Sequence, residues 1–142
     1  FNSEELIKYL ENKNLNGKKF YYLSGNIIND DFIKSLNRLK VNYQRKVMYR
    51  SKAKVKLSKK TTELIKNQKI KVVLLYSSFT ALSFIQLIRK ARITPNAKHL
   101  LYICLSPKIS KLMKKNKFNK AVYAENPTQE SLLQMIRKNS IN

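Results

Sequence analysis

Two apolar stretches, at 70–76 (Ile70 to Tyr76, interrupted only by Lys71) and 100–105 (Leu100 to Leu105), constrain the fold more than any other feature of this chain. A strand with one wet face alternates apolar and polar side chains. These two do not alternate, so both of their faces must be covered, as in parallel strands flanked by helices. Each stretch runs into a short polar turn and then a segment of helical period. Ser77 and Ser78 precede a helix over 79–91, and Ser106 with Pro107 opens one reaching about residue 115. The same unit recurs around Ser24-Gly25-Asn26, between a strand over 19–23 and a helix over 30–39, and again in the tail after Ala121-Val122-Tyr123. Strand and helix alternating in this way predict an α/β fold with parallel sheets flanked by helices.

The remaining elements follow from caps and periodicity. A first helix is expected over 3–13, with Leu6, Ile7 and Leu10 apolar and Asn2 with Glu5 as a capping box. In the helix over 30–39, Phe32, Ile33, Leu36 and Leu39 form the apolar face, and Asp30 and Asp31 suit its N-terminal dipole. An extended segment over 41–49 and a helix over 58–67 come next, and Thr94-Pro95-Asn96 reads as a loop. In the tail, Asn126 is expected as N-cap, Pro127 as the first helical residue and Gln129 as the closing side of a capping box. Leu132, Leu133 and Ile136 then form one apolar face.

Composition narrows the classes of function. The chain has 142 residues, of which 43% are hydrophobic, enough for a core. Its net charge is +22, and between Asp31 and Glu125 only Glu63 interrupts an acid-free run. Such charge raises nucleic acid or anionic lipid as partners. Yet the cations spread over every expected helix, and the densest run, 108–120, lies on the polar face of a short amphipathic helix and its loop. Coding bias toward adenine and thymine produces the same abundance of Lys, Asn and Ile. The lone Cys104 sits inside an apolar strand and reads as a small hydrophobe rather than a nucleophile. With no second cysteine and no signal peptide in view, a cytoplasmic location is expected. The apolar runs are too short for a membrane span.

No metal site is expected, since there is one His, one Cys and no cluster of carboxylates. His99 reads as structural. Ser77 has no Gly-x-Ser-x-Gly elbow, and neither a Walker loop nor Gly-x-Gly-x-x-Gly is present. What recurs instead is a small polar turn at the C-terminal end of each strand: Ser24-Gly25-Asn26, Ser77-Ser78, Ser106-Pro107-Lys108 and Asn126-Pro127-Thr128. Ligands of open parallel sheets bind at that edge, and helix N-termini favour anions. Helix capping explains each turn singly; a shared ligand explains why all four are alike.

Four blocks in order carry a family resemblance. They are Gly17 to Gly25, a strand with a glycine turn; Val47-Met48-Tyr49-Arg50-Ser51; Val72 to Phe84, with Tyr76-Ser77-Ser78 at the turn, Thr80 and Ala81 small and Phe84 aromatic; and Ala124-Glu125-Asn126-Pro127-Thr128 through Leu132. Together they resemble the uroporphyrinogen-III synthases of tetrapyrrole biosynthesis, over nearly the whole chain. The resemblance implies flavodoxin-like parallel sheets in two domains joined by extended strands, one domain inserted in the other. By that analogy residues 1–48 are the later part of the inserted domain, 49–55 a connecting strand and 56–142 most of the terminal domain. The chain opens on Phe1 rather than Met, so it is expected to be the C-terminal portion of a longer protein, inactive alone.

The implied activity is a cofactor-free, cyclising lyase reaction. Hydroxymethylbilane loses hydroxide, a spiro rearrangement inverts the last pyrrole ring, and the macrocycle closes as uroporphyrinogen III. The substrate is a flexible polycarboxylate, which the four turns would hold through Ser24, Gly25, Asn26, Ser77, Ser78, Ser106, Pro107, Lys108, Asn126 and Thr128. Tyr49 falls where the family has a tyrosine tied to departure of the hydroxyl; an aromatic packed at a strand end is the plainer reading. Two departures stand out. Leu105-Ser106-Pro107-Lys108 replaces the family's Gly-Pro-Thr-Thr, putting an ammonium where a hydroxyl is usual, and Ser78-Phe79 lacks the commoner proline. A monomer without metal, membrane or nucleic-acid partner is expected. The alternatives are a basic flavodoxin-like module that binds RNA or another polyanion without catalysis, and a degenerate synthase that keeps only the fold.

Overall fold

The computed structural model describes residues 3–28 and 30–140, so the expected cap at Asn2 lies outside the described residues. The chain divides into two compact units, Phe1–Lys52 and Ala53–Asn142.

The first unit contains α1 (Ser3–Glu11), β1 (Phe20–Gly25), α2 (Asp30–Arg38) and β2 (Tyr43–Tyr49). β1 and β2 pair in parallel, Phe20 opposite Tyr43 and Ser24 opposite Val47. The ladder then slips: Gly25 stands opposite Tyr49, and Met48 has no place in the pairing. Ile7, Phe32, Leu36 and Val41 form a small core against Phe20, Tyr22 and Tyr43. The Tyr22 and Phe32 rings meet edge to face with centroids 5.3 Å apart. The alternate side chains Tyr21 and Leu23 face outward, 59% and 61% exposed, so among the described residues no helix of this unit covers that face of the sheet.

The second unit runs α3 (Lys59–Lys66), β3 (Val72–Leu75), α4 (Ser78–Lys90), α5 (Thr94–Ala97), β4 (Leu101–Cys104), α6 (Pro107–Lys115), β5 (Ala121–Tyr123) and α7 (Gln129–Ser140). Its parallel sheet has the order β3-β4-β5. One face packs Leu75, Tyr102, Cys104 and Ala121 against Ile65, Ile85, Ile88, Ile109, Met113 and Phe118 from the helical side. The other sets Ile103 against Ala124 and Leu132, with Met135 and Ile136 of α7 alongside. This is why the two apolar stretches do not alternate. Complete burial of a side chain such as Ile103 contributes about 1.5–3 kcal/mol. Tyr102 is buried between Phe84 and Phe118, and its hydroxyl donates to the Ala97 carbonyl at 2.7 Å. The buried Ser110 is satisfied similarly, donating to the Ala121 carbonyl at 2.8 Å and so tying α6 to β5.

Two expectations are corrected here. The segment expected as a loop at Thr94-Pro95-Asn96 forms the short helix α5, with Pro95 in its first turn and Ala97 packed into the core. The cap of α7 is Thr128 rather than Asn126. Thr128 Oγ1 accepts the Ser131 N–H at 3.2 Å, and Thr128 O accepts from Leu132 at 3.2 Å. Asn126 instead folds back through its own carbonyl, which accepts the Thr128 N–H at 2.8 Å, leaving Pro127 ahead of the helix.

Four helices end alike. Lys40, Gln68, Arg92 and Lys117 adopt left-handed φ values of 53°, 54°, 56° and 67°. Behind each, the next residue's N–H returns to the last turn: Val41 to Leu36, Lys69 to Leu64, Ile93 to Ile88 and Phe118 to Met113. These are Schellman closures, and three of them bury an apolar residue just past the helix.

Candidate functional site

In each unit the parallel pairing puts the strand C-termini at one edge. In the second unit that edge gathers the turns after β3, β4 and β5: Ser77 and Ser78, Ser106 to Lys108, and Asn126 to Thr128. The turn after β1, Ser24-Gly25-Asn26, stands at the corresponding edge of the first unit beside the end of β2.

The turns of the second unit differ in how much hydrogen bonding they have already satisfied. Ser77 accepts the Thr80 N–H at 3.1 Å and shares a 2.8 Å contact with the Thr80 hydroxyl, a complete cap for α4. Ser106 occupies the cap position of α6 with Pro107 after it, as expected, but its side chain makes no capping bond. Its carbonyl alone receives Ile109 and Ser110, each at 3.2 Å. Ser106 is half-buried, while Pro107, Lys108, Asn126 and Thr128 are exposed. By helix geometry the N–H groups of Ser78 and Phe79, at the start of α4, have no intrahelical acceptor, a setting that suits a carboxylate.

The turn of the first unit is held by a residue that the sequence reading passed over. Arg45, on β2, donates from Nε to Ser24 Oγ at 2.9 Å and from Nη2 to the carbonyls of Gly25 at 2.8 Å and Asn26 at 3.2 Å. Ser24 is buried and its hydroxyl also donates to the Gly25 carbonyl, at 3.1 Å. Asn26 is equally engaged. Its Oδ1 accepts the Ser51 N–H at 2.7 Å, its Nδ2 donates to the Ser51 carbonyl at 3.2 Å, and its own N–H goes to the Tyr49 carbonyl at 3.0 Å. The side chains of Ser24 and Asn26 therefore shape the turn. The signal for Arg45 was its place in the alternation: Tyr43, Arg45 and Val47 share the face of β2 opposite Phe20, Tyr22 and Ser24, where a cation needs acceptors.

Tyr49 ends β2 with its side chain 64% exposed. Its ring lies directly over Gly25: a Cβ built there would be 2.7 Å from Cε2, 2.8 Å from Cζ and 3.1 Å from the hydroxyl oxygen. Two residues singled out from sequence, Gly25 and Tyr49, thus meet in space.

Other reactive groups lie elsewhere. Cys104 is fully buried, and burial pushes its thiol up to about 11 against a weaker pull from Lys114. Burial likewise raises the Tyr102 phenol. Among the described residues no three His, Cys, Asp or Glu side chains gather as metal ligands. Nor is any helix among them long and apolar enough to cross a membrane.

Parallel sheets flanked by helices, with polar turns at the strand C-termini of each unit, define an α/β protein. The family model for uroporphyrinogen-III synthase HemD matches residues 1–134, and the chain belongs to that family. In fold it is similar to the crystal structure of uroporphyrinogen-III synthetase from Helicobacter pylori 26695, with a TM-score of 0.66 and 16% sequence identity. The match covers 98% of this chain and 58% of that one, so the chain spans little more than half the length of that enzyme. Among curated proteins the comparison finds no match. Nothing in the fold or the comparisons favours the non-enzymatic alternative.

Proposed function

We propose that the protein of which this chain is part cyclises hydroxymethylbilane to uroporphyrinogen III, inverting ring D, as a cytoplasmic monomer of tetrapyrrole biosynthesis. Family membership over residues 1–134 is the observation that carries this reading. By the same analogy residues 1–48 form the later part of an inserted domain, 49–55 a connecting strand and 56–142 most of the terminal domain.

In the proposed chemistry the phenol of Tyr49 gives its proton to the departing hydroxyl. The C–O bond breaks with its electron pair on oxygen, water leaves, and a cationic azafulvene remains. The last ring then closes at its substituted carbon, forming a spiro intermediate that rearranges and loses a proton. The unassisted substrate closes without inversion, so the protein's main task is orientation. Backbone amides at the turns, the Ser77, Ser78, Ser106 and Thr128 hydroxyls, Asn126 and the Lys108 ammonium are proposed to hold the carboxylates, with Pro107 shaping its turn. Ser24, Gly25 and Asn26 are proposed to contribute main-chain contacts only. The half-buried Ser106, with no capping bond of its own, supports this assignment.

The test supplies hydroxymethylbilane to the full-length protein and separates the isomers formed. Uroporphyrinogen III in excess of the spontaneous isomer I is expected; isomer I alone rejects the reading.

A further inference from the structure

We infer that Gly25 and Arg45 are positioning residues that fix where the Tyr49 phenol stands. The inference rests on the reading of Tyr49 as the group that assists the leaving hydroxyl.

An exposed aromatic at a strand end ordinarily has several side-chain wells open to it. Here one position is favoured by a seat. Gly25 is not in the left-handed region, unlike Gly17 at φ 69°, so the backbone at residue 25 would accept other side chains. What requires glycine there is the Tyr49 ring, since ordinary contact begins near 3.4 Å and a Cβ would stand 2.7 Å from Cε2.

Which partner would yield decides the consequence. The Gly25 peptide is gripped on both sides, its carbonyl and that of Asn26 by Arg45, its strand by the pairing with β2. The main chain of Tyr49 is fixed through its carbonyl to Asn26, and Asn26 clasps Ser51 at two points. Only the exposed ring is left to move. A methyl group at residue 25 would therefore push the ring back by about 0.7 Å or more, at little cost in stability. A displacement of that order at a reacting group is enough to cost up to about a hundredfold in rate.

The experiment uses the full-length protein, as wild type, Gly25→Ala, Tyr49→Phe, the double variant and Arg45→Lys. We expect Gly25→Ala to lower kcat for isomer III about tenfold or more, with KM within about twofold and an unchanged urea midpoint. In the double variant the loss should equal that of Tyr49→Phe alone, because both act through one phenol. Carbon-13-labelled tyrosine gives an independent readout. The Tyr49 ring resonance, identified by its loss in Tyr49→Phe, should shift in Gly25→Ala and in Arg45→Lys, while that of Tyr21 stays put. Arg45→Lys adds no atom next to the ring, so it tests the seat even if an added methyl group impairs folding. Losses that multiply in the double variant, or a Tyr49 resonance unmoved by either substitution, overturn the inference. A shifted resonance together with full activity of Tyr49→Phe leaves the seat standing and removes the leaving-group role.

Discussion

Cys104 looks outward from the chemistry and inward to the core, on the central strand with no accessible surface. Its thiol ordinarily ionises near 9.0 and is pushed up to about 11 by burial, while the unfolded chain keeps the ordinary value. Folding therefore favours the protonated thiol. The stability this supplies is complete below pH 9 and is lost as pH rises toward about 11, because only the unfolded state sheds its proton over that interval. The urea midpoint should fall across this window, and Cys104→Ala should make the fall shallower. An equally steep fall in the variant contradicts this account. At pH 8 a thiol reagent should modify Cys104 only after denaturant is added. The buried character of this residue was legible from its apolar neighbours along the chain. The partners of Arg45 were not, because its acceptors are the hydroxyl and carbonyls of a turn twenty or so residues earlier in sequence.

At the level of elements, the helix ends explain both what sequence conveyed and what it withheld. Strands and helices were legible because apolar runs and helical faces persist over many residues, as in 70–76 and in Phe32 with Leu36. Their terminations were less so. Left-handed closing residues are usually glycine, and this chain has only two glycines, so Lys40, Gln68, Arg92 and Lys117 gave no signal of their role. Likewise Thr128 outcompeted Asn126 as a cap because its hydroxyl reaches the Ser131 N–H across one turn. A side chain at positive φ costs about 1–2 kcal/mol, part of which glycine returns as lost chain entropy. Lys117→Gly should therefore raise stability by about 0.5–1 kcal/mol. Urea denaturation checks this, and a loss of stability would mean that the Lys117 side chain makes contacts worth more than the strain.

For the whole chain, charge is the dominant fact. There are 30 Lys and Arg against 8 Asp and Glu, so even complete pairing leaves 22 cations facing one another. Arg38 with Glu11, 3.1 Å apart, is such a pair, and it is exposed and correspondingly weak. Self-repulsion of this size opposes the compact state, and salt shortens its range to about 10 Å at 0.1 M. The melting temperature should therefore climb by several degrees between about 0.02 and 0.5 M sodium chloride. A flat or falling Tm would show that repulsion is not what limits stability. Legible at this scale were the α/β class and the parallel strands, implied by runs with no wet face. The β3-β4-β5 order was not, since side-chain pattern says which faces are buried but not which strands are neighbours.

The slip in the first ladder has an outcome of its own. With unbroken pairing, Met48 would stand opposite Gly25, and Tyr49 would swing to the side shared by Tyr43 and Arg45. The single supernumerary residue thus chooses a hydroxyl over a thioether for the open side of β2. Deleting Met48 would leave Tyr49 opposite Gly25 in a regular ladder, whereas adding one more residue before Tyr49 without widening the slip would turn the phenol to the other side.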